Sequence, residues 1–308
     1  MKKYLVIAIF FIITISIISV VLLKVNYTRN IIKNIYYFGV KETLSYTFFK
    51  CASSNLNSSK YSTILIAGHT YGAADHKNNA TYPKLLYALE AETKKNKKVE
   101  KIILAGDIVR EARVENFLQV KNEFANFSKM LIVAPGNHDY DSNIVGGKEN
   151  QKDFLKVFKK NFQSIKYKDN IFFILDTATH PGNVTVEQIN YIKEELKRSS
   201  ILNNIFIITH HVIWNNFVKK PLEPNLPILL ENNFNELFST FKNSGIRSNI
   251  YFIASDIAVS QTHTKLFCEK KNNIYFIATG MGNGRLDNYL KLMISEDGKA
   301  LSIEPVFF

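Results

Sequence analysis

From Tyr61 onward the sequence alternates between two hydrophobic periods, and that alternation leaves few architectures open to it. Short apolar runs at Thr63–Ala67, Lys101–Ala105, Met130–Ala134, Ile171–Leu175 and Ile205–Ile208 have the length and composition of buried strands. Between them lie segments with helical spacing. Tyr82 to Lys98 places Tyr82, Leu85, Leu86 and Leu89 on one face, and the next segment turns Val114, Phe117, Leu118 and Phe124 inward. A third helical segment carries Phe154, Leu155, Phe158 and Phe162. Thr185-x-x-Gln188 is a capping box opening a helix with Val186, Ile189, Ile192 and Leu196 as its buried stripe. After a helix over Asn232–Asn243 the pattern changes: Ile250–Ala254, Ile274–Ala278, Tyr289–Ile294 and Ala300–Glu304 are strands without helices between them. The pattern predicts a layered α/β domain of two sheets covered by helices. A hydrophobic content of 46% is enough to fill such a core and argues against disorder.

The first sixty residues follow a different rule. Tyr4 to Leu23 is an uncharged run of twenty residues, and a membrane-spanning helix needs about 20. No Ala-x-Ala site stands near Leu23, so the expectation is a retained anchor over residues 1–24 rather than a cleaved signal peptide. Residues 25–60 are expected to be a juxtamembrane segment and polar linker, and 61–308 the globular domain. The short tail with Lys2 and Lys3 predicts a single-pass protein with its N-terminus inside and its C-terminal domain on the extracytoplasmic side. Two cysteines, Cys51 and Cys268, offer neither a disulfide framework nor a zinc-ligand spacing. A net charge of +12 favours anionic partners, phosphorylated substrates and acidic lipid among them, although runs such as Lys94-Lys95-Asn96-Lys97-Lys98 read first as a solvated surface. No nucleic-acid motif accompanies the charge, so no nucleic-acid partner is expected; the sequence names no protein partner.

Chemistry gathers where strands stop. The strand ends read Gly68-His69-Thr70, Gly106-Asp107, Gly136-Asn137-His138-Asp139, Thr209-His210-His211 and Ser255-Asp256. One of these groups after a strand is usually a helix cap or a polar turn. Five such ends in one chain point to a shared site. Oxygen and imidazole donors without cysteine suit a hard to borderline cation such as Mn, Fe or Zn. Within the third end, Asn137 is a neutral oxygen ligand, His138 a proton-transfer group and Asp139 a carboxylate able to steer that histidine. Arg110 could bind a phosphate oxygen or pair with Glu111 or Glu115. The Gly280–Arg285 loop reads as a flexible turn bordering the site, and His76, His180 and His263 as surface or loop histidines. Specificity would lie in Trp214–Pro227 and around Tyr71–Asn79, where no code is readable.

Taken in order, Gly106-Asp107, then Gly136-Asn137-His138-Asp139, then His210-His211 resembles the calcineurin-like metallophosphoesterase superfamily, from about Tyr61 to the C-terminus. Leu175-Asp176 and the Thr185–Leu196 helix resemble its phosphodiesterase-like branch. The resemblance implies a four-layer αββα sandwich, here preceded by one transmembrane helix. It implies Asp107 as the carboxylate bridging two metals, Asn137 and His210 as ligands of the second metal, and His138 as a general acid oriented by Asp139. Two motifs depart from the family. Its opening Asp-x-His is Gly68-His69-Thr70 here, and its closing Gly-His-x-His is Ser255-Asp256-Ile257-Ala258. Asp256 replaces one histidine with another competent ligand, and His69 reaches the first site only by swinging in. The expectation is therefore one divalent cation, with two possible, on Asp107, Asn137, His210, Asp256 and His69, and with Arg110 and His211 binding substrate. The implied function is a membrane-anchored metal-dependent hydrolase of phosphomonoesters or phosphodiesters, using a metal-activated water and His138 as acid. The alternative is an inactive relative kept for binding or assembly at the membrane.

Overall fold

The computed structural model describes residues 2–53, 60–72, 78–140, 151–199, 201–219, 222, 232–243, 247–257, 265–282 and 284–308, without the side chains of 2–18, 20, 23 and 37. The chain divides into two compact units, 1–44 and 45–308. The first consists of most of helix α1 (Lys2–Ala52). Among the described residues no helix is long and apolar enough to cross a membrane; most side chains of the Tyr4–Leu23 run lie outside them.

The second unit is a mixed α/β sandwich of two sheets. The first sheet has the order β11 (Leu301–Phe307), β10 (Asn288–Ser295), β1 (Tyr61–Ala67), β2 (Val99–Ala105), β3 (Leu131–Ala134). Within it β1, β2 and β3 run parallel, and β10 and β11 are antiparallel additions. The second sheet has the order β4 (Gln163–Tyr167), β5 (Asn170–Ile174), β6 (Asn204–Thr209), β7 (Asn249–Ala254), β9 (Ile274–Thr279), β8 (Leu266–Lys271). Its centre, β5-β6-β7-β9, is parallel, and β4 and β8 close it as antiparallel edges. Those two edges are half-polar and short, with little period-2 contrast, which is why the sequence reading passed over both.

Strands buried on both faces read as continuous apolar runs, and each face has its own partner here. On the first sheet, Leu65, Ala67, Ile102 and Leu104 pack with Leu85 and Leu89 of α2 (Pro83–Lys95), Phe117 and Val120 of α3 (Val114–Glu123) and Phe154 of α4 (Lys152–Phe158). On the second, Ile205, Ile207, Phe252 and Phe276 pack with Ile189 and Ile192 of α5 (Val186–Lys197) and with Phe234, Leu237 and Phe241 of α6 (Phe234–Asn243). The alternate residues Ile64, Ile66, Phe206, Ile208 and Tyr251 are buried too, on the opposite faces. There Phe172, Phe206, Tyr251 and Tyr275 share one register and stack at 4.4 to 4.8 Å across four strands. Hydrogen bonds from Lys168 to Ser295 and from Tyr167 to Ser62 tie the second sheet to the first.

Several expectations need correction. Val186 is 65% exposed and Leu118 44% exposed, because each sits on the rim of its helix rather than the stripe. Thr185 does accept from the Gln188 N–H, but the Gln188 side chain holds both the N–H and the carbonyl of Asp176. In the Gly280–Arg285 turn, of which Asn283 lies outside the described residues, Asp287 accepts from the Gly282 and Gly284 N–H groups and from Lys265 at 2.5 Å, in a buried ion pair. The helix bearing Phe154 stops at Phe158, where Lys159 turns left-handed, and so excludes Phe162. The cysteines do pair. Cys51, at the end of α1, is bonded to Cys268 of β8. A partner 217 residues away is a product of tertiary structure, and no local spacing announces it. Beside the disulfide, Phe48 and Ala52 are buried and Ser53 pairs with Ser302.

Closing so long a loop restricts the unfolded chain strongly. Cys268→Ser is expected to lower stability by about 2–5 kcal/mol, read as a lower Tm, while the wild-type chain denatured without reductant shows no thiol to an alkylating probe.

Candidate metal centre

The carboxyl ends of β1, β2 and β3 meet those of β6 and β7, and every strand-end motif singled out in the sequence arrives at that junction. Two of the candidate ligands are held in unusual backbone geometry: His69 has φ 55° and Asp107 φ 51°. Left-handed non-glycine residues cost about 1–3 kcal/mol each, a cost that clusters at functional sites. The turn is tight because Gly106, at φ +91°, lets the chain pass against the His210 ring; a Cβ there would lie 2.5 Å from Nδ1. The His69 N–H donates to Gly106 O at 3.0 Å and the Tyr71 N–H to Asp107 O at 3.1 Å, locking the first loop to the second.

Around His210 the geometry is specific. Its Nδ1 lies 3.2 Å from the Ala105 carbonyl, which can only accept, so Nδ1 carries the proton. Nε2 then faces Asn137 Oδ1 at 3.2 Å, Asp107 Oδ1 at 3.2 Å and Asp256 Oδ2 at 3.8 Å. A lone pair facing three oxygens is repulsive unless a positive charge sits among them. Four donors roughly 2.0–2.2 Å from one cation in a tetrahedral shell are separated by roughly 3.3–3.6 Å, and the observed spacings bracket that. The residues present fit a divalent cation. Without one, the charge must come from a proton: burial works against the charged ring, but Asp107 and Asp256 outweigh it and raise the His210 pKa to about 10. Burial likewise opposes ionisation of Asp107, yet His210 and His69 hold its carboxyl well below the ordinary value.

His69 reaches the cluster. Its Nδ1 is 3.1 Å from Asp107 Oδ2 and 3.9 Å from Asp256 Oδ1, so each carboxylate turns one oxygen toward His210 and the other toward His69. The place of the family's opening aspartate, in contrast, is filled. A Cβ on Gly68 would lie 1.8 Å from Ser255 Cβ, so no side chain fits there. His211, expected to bind substrate, is fully buried, and its donor atom lies within 4.8 Å of those of His210 and Asp256. Its Nδ1 meets Thr177 Oγ1 at 3.0 Å, while its Nε2 is buried with no hydrogen-bond partner among the described residues. Burial, reinforced by the neighbouring His210, depresses the His211 pKa to about 4.

The third strand end departs from expectation in one respect. Asp139 does not steer His138. Its carboxylate turns back over the short 3-10 turn Asn137–Asp139 and accepts from the N–H groups of Ile108, Val109 and Gly136. Burial and then the nearby Asp107 push its pKa up to about 8, against those three donors. Adjacent residues in a 3-10 turn point about 120° apart, which separates the two side chains. His138 is held instead by the Arg110 carbonyl, 3.0 Å from Nδ1, which leaves Nε2 as the proton-exchanging atom. The His138 N–H donates to Asp107 Oδ1 at 3.0 Å. Asn137 and His138 are half-buried, so the site opens on their side. Glu111 pairs with Arg113.

Two groups at the site escaped the sequence reading. Tyr71 is fully buried, its ring 4.7 Å from His69 and 5.1 Å from His138, and its hydroxyl has no hydrogen-bond partner among the described residues. Burial first, then Asp107, Asp256 and Asp139, push its pKa up. Asp176, named in the sequence only through the Leu175-Asp176 resemblance, collects the Tyr140 hydroxyl at 2.7 Å, Asn161 at 2.9 Å and the N–H groups of Ala178 and Thr179, and so anchors the residue that follows Asp139. His180 is exposed, as expected, whereas His76 and His263 and half of Trp214–Pro227 lie outside the described residues.

A family model of the calcineurin-like phosphoesterases matches residues 69–239, more than half the chain and all but one of the strand ends above. The chain belongs to the calcineurin-like phosphoesterase family. Membership supports a metal-dependent phosphoesterase function. Solved structures similar to it include vacuolar protein sorting 29 from Cryptosporidium parvum, at 11% identity over 81% of this chain and 99% of that one, TM-score 0.35. Sulfate thiohydrolase SoxB of Thermus thermophilus in complex with glycerol is another, at 7% identity over 82% and 58%, TM-score 0.44. No curated protein matches the sequence.

The depressed His211 pKa has a sign that can be checked. An unfolded histidine titrates near 6.5, so between about pH 4 and that value the unfolded chain binds the extra proton and stability falls as pH drops. In metal-stripped protein, His211→Asn is expected to flatten the slope of Tm against pH across this window relative to wild type.

Proposed function

We propose that this chain is a membrane-anchored phosphoester hydrolase working with one tightly held divalent cation. The observation that carries the reading is the convergence of His210 Nε2, Asp107, Asn137 and Asp256 at cation-ligand spacing, with His138 beside them. A bound Mn, Fe or Zn would supply charge neutralisation at the phosphate oxygens and activation of a water. The side chains of this protein do the rest. Asp107 ties the centre together, its backbone fixed by the turn at Gly106 and its Oδ1 shared between His210 and the His138 N–H. The Arg110 carbonyl holds His138 Nδ1–H, so Nε2 is positioned to give a proton to the departing oxygen. Asp139 rigidifies the loop that carries both Asn137 and His138. A second cation would have to rest on His69, Asp107 and Asp256 alone, since position 68 admits no carboxylate. That loss is also what supports the alternative of a metal-holding relative without turnover.

The anchor reading rests on the Tyr4–Leu23 run, and the extracytoplasmic placement gains support from the Cys51–Cys268 disulfide, since such bonds persist in oxidising compartments.

Elemental analysis of the purified chain is expected to find about one divalent metal, lost on Asp107→Ala or His210→Ala. Phosphomonoester and phosphodiester substrates with added manganese should be hydrolysed, and His138→Gln should lower kcat by about 10²–10⁴-fold, most for poor leaving groups. Metal retained without turnover on any of these substrates selects the inactive alternative. A periplasm-active reporter fused to the C-terminus is expected to be active in cells; activity of only a cytoplasmic reporter would reverse the orientation.

A further inference from the structure

We propose that Tyr71 is a further substrate-binding residue of this site, its phenol donating a hydrogen bond to a non-bridging oxygen of the bound phosphoryl group. The assignment rests on the phosphoester reading above and extends it to Tyr71, which none of the five strand-end segments includes.

Three observations carry it. Tyr71 is fully buried and its hydroxyl has no hydrogen-bond partner among the described residues, an arrangement that proteins avoid unless a ligand or solvent completes it. The ring stands between two site histidines, 4.7 Å from His69 and 5.1 Å from His138, with His138 itself on the half-buried side from which a ligand enters. And the residue is held rigidly. Its N–H is bonded to Asp107 O, the next residue, Gly72, closes back on His69 O at 3.1 Å, and Thr70 O accepts from the Tyr82 N–H at 2.7 Å. A donor so fixed needs no reorganisation when it meets developing charge.

The charge balance of the site gives the phenol its purpose. Asp107 and Asp256 are buried among the ligands, and no carboxylate is possible at position 68 to complete the family's first metal site. With one cation in place of two, some phosphoryl oxygen charge is left to be met by N–H and O–H donors. Tyr71 stands on the His69 side of the cluster and offers a donor but no negative charge.

Tyr71→Phe keeps the ring and removes the donor. Titrating inorganic phosphate into the manganese-loaded full chain, the variant is expected to bind phosphate roughly tenfold or more weakly than wild type, with unchanged metal content and Tm. If the substrates above are turned over, kcat should fall while the dependence of rate on leaving-group pKa keeps its slope, in contrast to His138→Gln, which should steepen it. Equal phosphate affinity in variant and wild type, or no phosphate binding by either, overturns the assignment whatever the metal content. Metal content is read separately, so failure of the one-cation reading is distinguishable from failure of this one.

Discussion

The contact on which the rest depends is the meeting of the two sheets at His210. One ring nitrogen is spent on a backbone carbonyl of the opposite sheet, and the other is turned into a cluster of oxygens. That single tautomeric choice joins β6 to β2 and aims a lone pair at Asn137, Asp107 and Asp256. Gly106 makes the approach possible, and Asp107 pays for proximity with a left-handed backbone. Fold and site are therefore one arrangement. The parallel strands bring their carboxyl ends together, and the carboxylates gathered there are buried against His210 and His69.

Division of labour within the Asn137–Asp139 turn is a second lesson. A carboxylate next to a histidine invites a reading as its partner, yet Asp139 serves the backbone, capping three N–H groups around the turn. The histidine takes a carbonyl instead. For a proton-transfer residue the two partners differ: a carbonyl fixes the tautomer and the ring without adding charge, whereas a carboxylate would also stabilise the imidazolium. Departures at the first and last motifs compound this. Ser255 occupies the space a carboxylate at position 68 would need, so the altered ends of β1 and β7 fit each other. They form a matched pair of changes, and together they reshape one half of the centre around His69, Asp256 and Tyr71.

Most of the framework could be read from the chain. The apolar runs of β1, β2, β3, β5, β6 and β7 and the spacing of α2 to α6 follow from periodicity, because strands buried on both faces and helices buried on one leave contrasting patterns. The short edges β4 and β8 do not, since a half-exposed antiparallel edge carries too little contrast. Strand-end residues were legible as chemistry for a related reason: a polar group that terminates an apolar run has few structural duties that would require His or Asp.

What the sequence by itself determined, then, was the succession of elements and the identity of the groups that end them. Tertiary structure alone decided which of those groups face one another. Cys51 met Cys268 across 217 residues, His69 turned toward Asp107, Asp139 turned away from His138, and Tyr71 was set between two histidines. None of these depends on local spacing. Each is fixed by where two sheets place their strand ends in three dimensions, which is information that periodicity does not carry.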